Sequence, residues 1–140
     1  MRVVALDLGT KRIGVAVSDL SGTIATPRTV IQRSGSKQRD HRVIKDLIEE
    51  EEAELLVVGL PLNMNGSYGP AAKGAVAEAA ELASVVGVPV ETFDERLTTV
   101  SADRALMEAN ISATNRRKLV DKVAAAVMLQ AWLDGKAARP

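Results

Sequence analysis

Three carboxylates occupy positions in this sequence where a buried core would be expected to select apolar residues. Asp7 interrupts the apolar run of residues 3–8, and Glu95 follows the strand-like run of residues 89–94. Asp121 precedes the apolar stretch 123–129 and falls on the apolar arc of a predicted helix. Removing a charge from water costs several kcal/mol unless something compensates it. Three such acids on three core elements predict a shared compensator, and a divalent cation with oxygen ligands is the natural one.

The residue types available favour Mg²⁺ or Mn²⁺ over zinc. The chain has no cysteine and a single histidine, so thiolate and imidazole ligands are scarce. Two divalent ions roughly 3.5–4 Å apart form the clamp that hydrolyses phosphodiester bonds. We therefore predict that Asp7, Glu95 and Asp121 are the catalytic residues and hold two such ions.

A phosphate-cleaving site also needs groups that bind phosphate. Positive side chains near the three acids are Lys11, Arg12, Arg96 and Lys122. The backbone amides of Gly9, Thr10 and Lys11 are a second candidate, because a run of amide groups can cradle a phosphate. Each residue also has an ordinary explanation, Gly9 as a turn glycine and Lys122 as a solvated helix lysine. Only their combination with the acids favours a site.

Hydrophobic periodicity predicts the elements that must position these residues. The predicted strands cover residues 2–8, 12–18, 27–32, 53–59 and 88–93, and the predicted helices cover 37–52, 70–86, 98–109 and 115–134. Three strands followed by β-α units describe an α/β fold, a mixed five-stranded sheet flanked by helices. The first strand is apolar on both faces and is therefore predicted at the centre of the sheet. If the first and fifth strands are parallel, Asp7 and Glu95 meet at their carboxyl ends, where α/β sheets form sites.

Composition sets the remaining expectations. With 140 residues the chain predicts a single domain, residues 1–135, followed by a short tail, residues 136–140. It lacks an apolar run long enough to span a membrane and a secretory signal, so a cytoplasmic location is expected. Net charge is zero, which gives no bulk attraction to nucleic acid. His41 lies among charged residues and is expected to be a solvated surface histidine.

Four segments carry a resemblance to a known family. The segments 7–19, 59–66, 94–99 and 121–125 resemble the motifs of the YqgF/RuvX-like family in the RNase H-like superfamily. The resemblance implies an RNase H-like fold and a divalent-metal nuclease, with Asp7, Glu95 and Asp121 as the metal-binding acids. The surrounding motif positions are matched by Gly9, Lys11, Arg12, Gly14, Pro61, Asn63, Arg96, Thr98 and Thr99. Among these, Asn63 and Thr98 are also predicted to contact the substrate. Asn65 departs from the family, which more often has Asp there.

Several functions follow as hypotheses. The leading one is a metal-dependent nuclease on structured RNA or branched DNA, which the resemblance directs to the 5′ end of pre-16S ribosomal RNA. A Holliday junction resolvase is the first alternative and would require a symmetric homodimer, whereas a monomer suffices for rRNA processing. A non-catalytic ribosome-assembly factor is the second. An actin-like phosphotransferase, suggested by Asp7, Gly9 and Thr10, is disfavoured because such sites need two domains. Ordinary ion pairs could also account for each acid singly.

Overall fold

The computed structural model describes residues 1–96 and 113–137, the side chains of residues 113–122 and 137 excepted. The strands are β1 (Val3–Leu8), β2 (Arg12–Ser18), β3 (Ala25–Gln32), β4 (Leu55–Leu60) and β5 (Val90–Asp94). The described helices are α1 (Lys37–Glu50), α2 (Pro70–Ala83) and α3 (Ala113–Ala137). The predicted helix 98–109, with Thr98, lies outside these residues. None of the described helices combines the length and apolar character needed to cross a membrane.

The strands form one five-stranded sheet in the order β3-β2-β1-β4-β5. β1 pairs with β2, and β2 with β3, in antiparallel fashion. β4 pairs in parallel with both β1 and β5. The predicted mixed sheet with β1 at its centre is therefore confirmed, and the carboxyl ends of β1, β4 and β5 lie along one edge.

Strand β1 is buried on both faces because it separates two hydrophobic cores. Val4 and Leu6 pack with residues of α1 and α2 on one face. Val3 and Ala5 pack with residues of α3, among them Leu129, on the other. The alternation of side chains along a strand assigns odd-numbered residues of β1 to the α3 face. Asp7 is thus directed toward the side of the sheet that α3 covers.

Local signals explain most helix boundaries. Ser36 caps α1 by accepting a hydrogen bond from the Arg39 backbone N–H at 3.3 Å. Pro70 stands in the first turn of α2, where its missing N–H costs nothing. The predicted stop of the last helix at Gly135 is wrong, since α3 continues to Ala137. One glycine costs a helix only about 1 kcal/mol, and the buried side chain of Leu133 packs against the sheet just before it.

The expectation of a solvated His41 is also wrong. His41 is 4% exposed and its Nε2 lies 2.8 Å from Oε2 of Glu78, a buried residue of α2. Glu78 also accepts two hydrogen bonds from the Arg33 guanidinium, at 2.9 and 3.0 Å. Burial favours the neutral acid, but the hydrogen bonds from Arg33 and His41 outweigh it and hold the pKa of Glu78 below its ordinary value. A buried partner 37 residues away compensates His41, and no local sequence pattern reveals it.

Candidate active site

Asp7 and Glu95 come together at the carboxyl edge of the sheet, as predicted. The register pairs Leu6 of β1 with Val58 of β4, and Phe93 of β5 with Gly59 of β4. Asp7 follows Leu6, and Glu95 lies just past β5, where its backbone N–H donates to the Leu60 carbonyl at 3.2 Å. The two acids are therefore separated by the width of one strand, β4.

Gly59 is the residue that lets the two carboxyl groups meet across β4. A Cβ atom at position 59 would lie 2.5 Å from Oε2 of Glu95 and 2.8 Å from Sδ of Met128 on α3. The Glu95 side chain thus crosses directly over the Gly59 backbone, beneath α3. Sequence reasoning did not assign Gly59 this role. An isolated glycine inside an apolar strand was the available signal, because it often marks a close approach.

The contact between the two acids changes the protonation of Glu95. Burial, the charge of Asp7 and a hydrogen bond to Asp7 together raise the pKa of Glu95 to about 8. The charge of Asp94 adds to the same effect. Two carboxylates that share a site cannot both ionise cheaply, so near neutral pH Glu95 holds the proton and donates it to Asp7. The pair is a strained charge cluster that a cation would relieve.

Asp94 behaves in the opposite way, because a cation already accompanies it. Arg96 donates to Asp94 through Nη2 at 2.6 Å and through Nε at 2.9 Å. These hydrogen bonds hold the pKa of Asp94 below its ordinary value. Arg96 Nη1 also reaches the Met64 carbonyl at 3.4 Å, so the guanidinium bridges the end of β5 and the loop after β4. Arg96 is thereby held beside Asp7 and Glu95. The sequence did not predict that Arg96 pairs with Asp94.

The β1–β2 turn, residues 9–11, places its predicted phosphate-binding residues near the same edge. Thr10 and Lys11 are exposed and Arg12 is half-buried. The Gly9 N–H donates to the Arg12 carbonyl at 2.9 Å, so this amide is engaged in the turn. The role of the Gly9 amide in phosphate binding stays a prediction. Gly9 is needed for space, since a Cβ there would lie 2.6 Å from the Arg12 carbonyl oxygen.

Asn63 lies in the loop after β4 and shapes that loop. Its backbone N–H donates to the Ser67 carbonyl and its Nδ2 to Ser67 Oγ, each at 3.0 Å. Its Oδ1 would lie 2.9 Å from a Cβ at position 69, so Gly69 leaves room for it. The Asn63 side chain remains exposed on the loop that Arg96 contacts. Its predicted contact with substrate stays a prediction.

The remaining predicted residues are only partly described. Asp121 and Lys122 belong to α3, and their side chains lie outside the described residues. Thr98 lies outside them altogether. Within the described residues, no three His, Cys, Asp or Glu side chains are grouped to hold a metal ion. The described part of the site therefore contributes two oxygen-donor acids, Asp7 and Glu95.

The fold defines the class to which this chain belongs. Its backbone superposes on Thermus thermophilus RuvC in complex with a Holliday junction substrate, with a TM-score of 0.61 at 19% identity over 99% of this chain and 96% of that one. A second structure of Thermus thermophilus RuvC gives a TM-score of 0.59 at 17% identity. At such low identity the likeness establishes the fold alone, which is the predicted RNase H-like fold.

Sequence comparison narrows the class to a family. A family model described as "RuvX: Holliday junction resolvase" matches residues 1–135. A protein of Moorella thermoacetica is 50% identical over 96% of this chain and 95% of its own length. One of Thermoanaerobacter pseudethanolicus is 47% identical over 97% and 98%. Both carry the name "Putative pre-16S rRNA nuclease". The chain belongs to the RuvX family.

The family membership bears on the predictions made from the motifs. The resemblance to the YqgF/RuvX-like family is confirmed by the family model and by these relatives. The predicted class of activity, a nuclease, is confirmed by the same comparisons. They do not distinguish RNA from DNA, since the family description names a junction and the relatives' names an rRNA precursor. The roles of individual residues remain predictions.

Proposed function

We propose that this chain hydrolyses phosphodiester bonds of structured nucleic acid at a divalent-metal site formed by Asp7, Glu95 and Asp121. The observation that carries the proposal is the meeting of the Asp7 and Glu95 side chains across Gly59, which raises the pKa of Glu95 to about 8. Two acids this close together at the carboxyl edge of a sheet destabilise the fold when nothing compensates their charge. They suit a hard cation, because both are oxygen donors and a bound cation compensates the repulsion between the two carboxylates once the proton has left.

Asp121 is the proposed third ligand because of its place on α3. It lies one helical turn before Ala125, which is fully buried against the sheet. It also lies two turns before Met128, whose Sδ approaches Gly59 and hence Glu95. In this proposal the Asp121 carboxylate would complete the site from α3, the helix that covers the acidic pair.

The chain's own residues have distinct tasks in this proposal. Asp7 and Glu95 would hold Mg²⁺ or Mn²⁺, and Glu95 must lose its proton to do so. The bound ions supply Lewis acidity and a water of lowered pKa. Lys11 and Arg96 would bind substrate phosphates on either side of the acids, with Arg96 kept in place by Asp94. Lys122 and Thr98 complete the proposed phosphate-binding set.

The proposed substrate is the 5′ region of pre-16S rRNA, processed in the cytoplasm during ribosome biogenesis. The names of the relatives at 47–50% identity support this choice. The fold and the family description keep a four-way DNA junction as the second candidate. The absence of a net positive charge suits either one, provided that local cations such as Lys11 and Arg96 supply the phosphate contacts.

A parallel cleavage assay tests the proposal. Labelled RNA carrying the 5′ flank of the small-subunit precursor and a labelled four-way DNA junction are each incubated with Mg²⁺, Mn²⁺ or EDTA. We expect cleavage of the RNA that requires a divalent ion and is lost in Asp7→Asn. Cleavage of the junction alone would replace the rRNA substrate with DNA. Binding of either substrate without cleavage under any metal would refute the nuclease assignment and favour an assembly factor.

A further inference from the structure

Arg33, the residue after β3, contacts the β1–β2 turn from outside. The Arg33 backbone N–H donates to the Lys11 carbonyl at 2.9 Å. Its side-chain Nε donates to the Gly9 carbonyl at 2.7 Å. Arg33 therefore contacts the first and last residues of the turn, one with its backbone and one with its side chain.

The Arg33 side chain is itself held by the buried residue Glu78, which is held by the buried residue His41. The Nη1 and Nη2 atoms of Arg33 bind both carboxylate oxygens of Glu78, at 3.0 and 2.9 Å. His41 Nε2 contacts the same carboxylate at 2.8 Å. The side chains of His41 and Glu78 are 5% and 6% exposed, so this arrangement is rigid and shielded from solvent. We call Arg33, Glu78 and His41 the clamp.

The turn borders open space on the side that faces α1 and α2. A cavity of about 780 Å³ opens there, lined among others by Thr10, Lys37, Ala71 and Gly74. An exposed turn bordering open space would be expected to move, because packing does not confine it. Hydrogen bonds from the clamp replace the missing packing.

We propose that Arg33 is a positioning residue, which sets the place of Lys11 beside the substrate phosphate. The inference rests on the proposed function, because it assumes that Lys11 binds phosphate during cleavage. The Arg33 guanidinium is occupied by Glu78 through Nη1 and Nη2 and by the turn through Nε. Arg33 therefore acts through Lys11 and does not touch the substrate. Misplacing a substrate-binding group by about 1 Å can lower a rate by up to about 100-fold.

A double-mutant cycle on kcat/KM separates positioning from a structural role. We expect Arg33→Lys to lower kcat/KM by about 10-fold, since lysine keeps the charge but loses the fork of donors. In a Lys11→Ala background the same change should have little further effect, because the residue it positions is already gone. Multiplicative losses in the double variant would overturn the inference. The assays are run well below the Tm of every variant.

Matched controls guard against a general loss of folding. Arg28, in the middle of β3, makes a comparable ion pair with Glu51, Nε to Oε1 at 2.7 Å. Arg28→Lys should leave kcat/KM within about twofold of the wild type. If Arg33→Lys fails to fold, Glu78→Gln carries the same cycle, because glutamine keeps the size and one accepting oxygen.

A second readout does not depend on activity. Hydrogen exchange at the Gly9 amide, which donates to Arg12, should become at least about 10-fold faster in Arg33→Lys and stay unchanged in Arg28→Lys. Unchanged exchange together with unchanged kcat/KM would overturn the clamp's role while leaving the proposed function intact. Wild-type protein that cleaves neither substrate would instead refute the proposed function, and with it this inference.

Discussion

Replacing Glu95 with glutamine should stabilise the metal-free protein while abolishing cleavage. In the folded protein the pKa of Glu95 is raised from its ordinary value of 4.5 to about 8, first by burial and then by Asp7. Between these two values the folded state binds a proton that the unfolded state has lost. Stability must therefore fall as the pH rises through this window. Glutamine cannot ionise, so the Glu95→Gln variant does not lose stability over this pH range.

The size of the effect follows from the same two values. The gap between 4.5 and about 8 corresponds to roughly 5 kcal/mol once Glu95 is ionised in both states. Glu95 is only half-buried, and solvent screening reduces the figure. We expect Glu95→Gln to gain about 2–3 kcal/mol over the wild type between about pH 5 and pH 8.5.

Urea unfolding in EDTA at several pH values measures this gain. Glu54→Gln, an exposed substitution of the same type, is the control and should change stability by less than about 0.5 kcal/mol at any pH. The difference in stability between Glu95→Gln and the wild type should shrink when cation is added, since about 10 mM Mg²⁺ stabilises the wild type by roughly 1.4 kcal/mol if its Kd is about 1 mM, and should not stabilise Glu95→Gln. A difference between Glu95→Gln and wild type that is independent of pH would refute the assignment of the shared proton.

The remaining predictions concern the immediate surroundings of the acids. Gly59→Ala should destabilise the protein by about 1–3 kcal/mol in urea unfolding and lower cleavage at least 10-fold, because its Cβ would lie 2.5 Å from Glu95. Gly74→Ala, in a helix with open space around it, is the control and should stabilise by up to about 1 kcal/mol. Arg96→Gln should weaken binding of all substrate sequences and reduce the slope of log K against log salt by about 1, at unchanged Tm. An unchanged slope would show that Arg96 serves only Asp94.

The sequence predicts the sheet well because its signals are local and strong. The continuous apolar run of β1 predicts a central strand, and the order of elements predicts a mixed sheet. Together these two signals predict that Asp7 and Glu95 lie at the same edge of the sheet. The strand pattern does not predict that the Glu95 side chain crosses over Gly59, because this depends on the length and direction of that side chain.

The clamp could not be predicted, because its three residues are far apart in the sequence and each lies in a context typical of an exposed residue. His41 stands between Asp40 and Arg42 in the sequence, a context typical of an exposed helix face. Both Asp40 and His41 are nevertheless buried, Asp40 by accepting the Ser34 backbone N–H at 3.1 Å. Polar residues become buried where partners from other elements satisfy them, and one-dimensional patterns do not record those partners. The division into one domain and a tail stays a prediction.

The most direct test of the central claim is a calorimetric titration of Mn²⁺ into wild type, Asp7→Asn, Glu95→Gln and Asp121→Asn, with the exposed Asp46→Asn as control. The titration is made at about pH 8, where the proton on Glu95 competes less than at neutral pH. The account predicts that each of the three site variants loses at least about 10-fold in Mn²⁺ affinity, while Asp46→Asn binds like wild type. Wild-type affinity in Asp121→Asn alone would remove the third ligand. Wild-type affinity in all three would contradict a shared metal site.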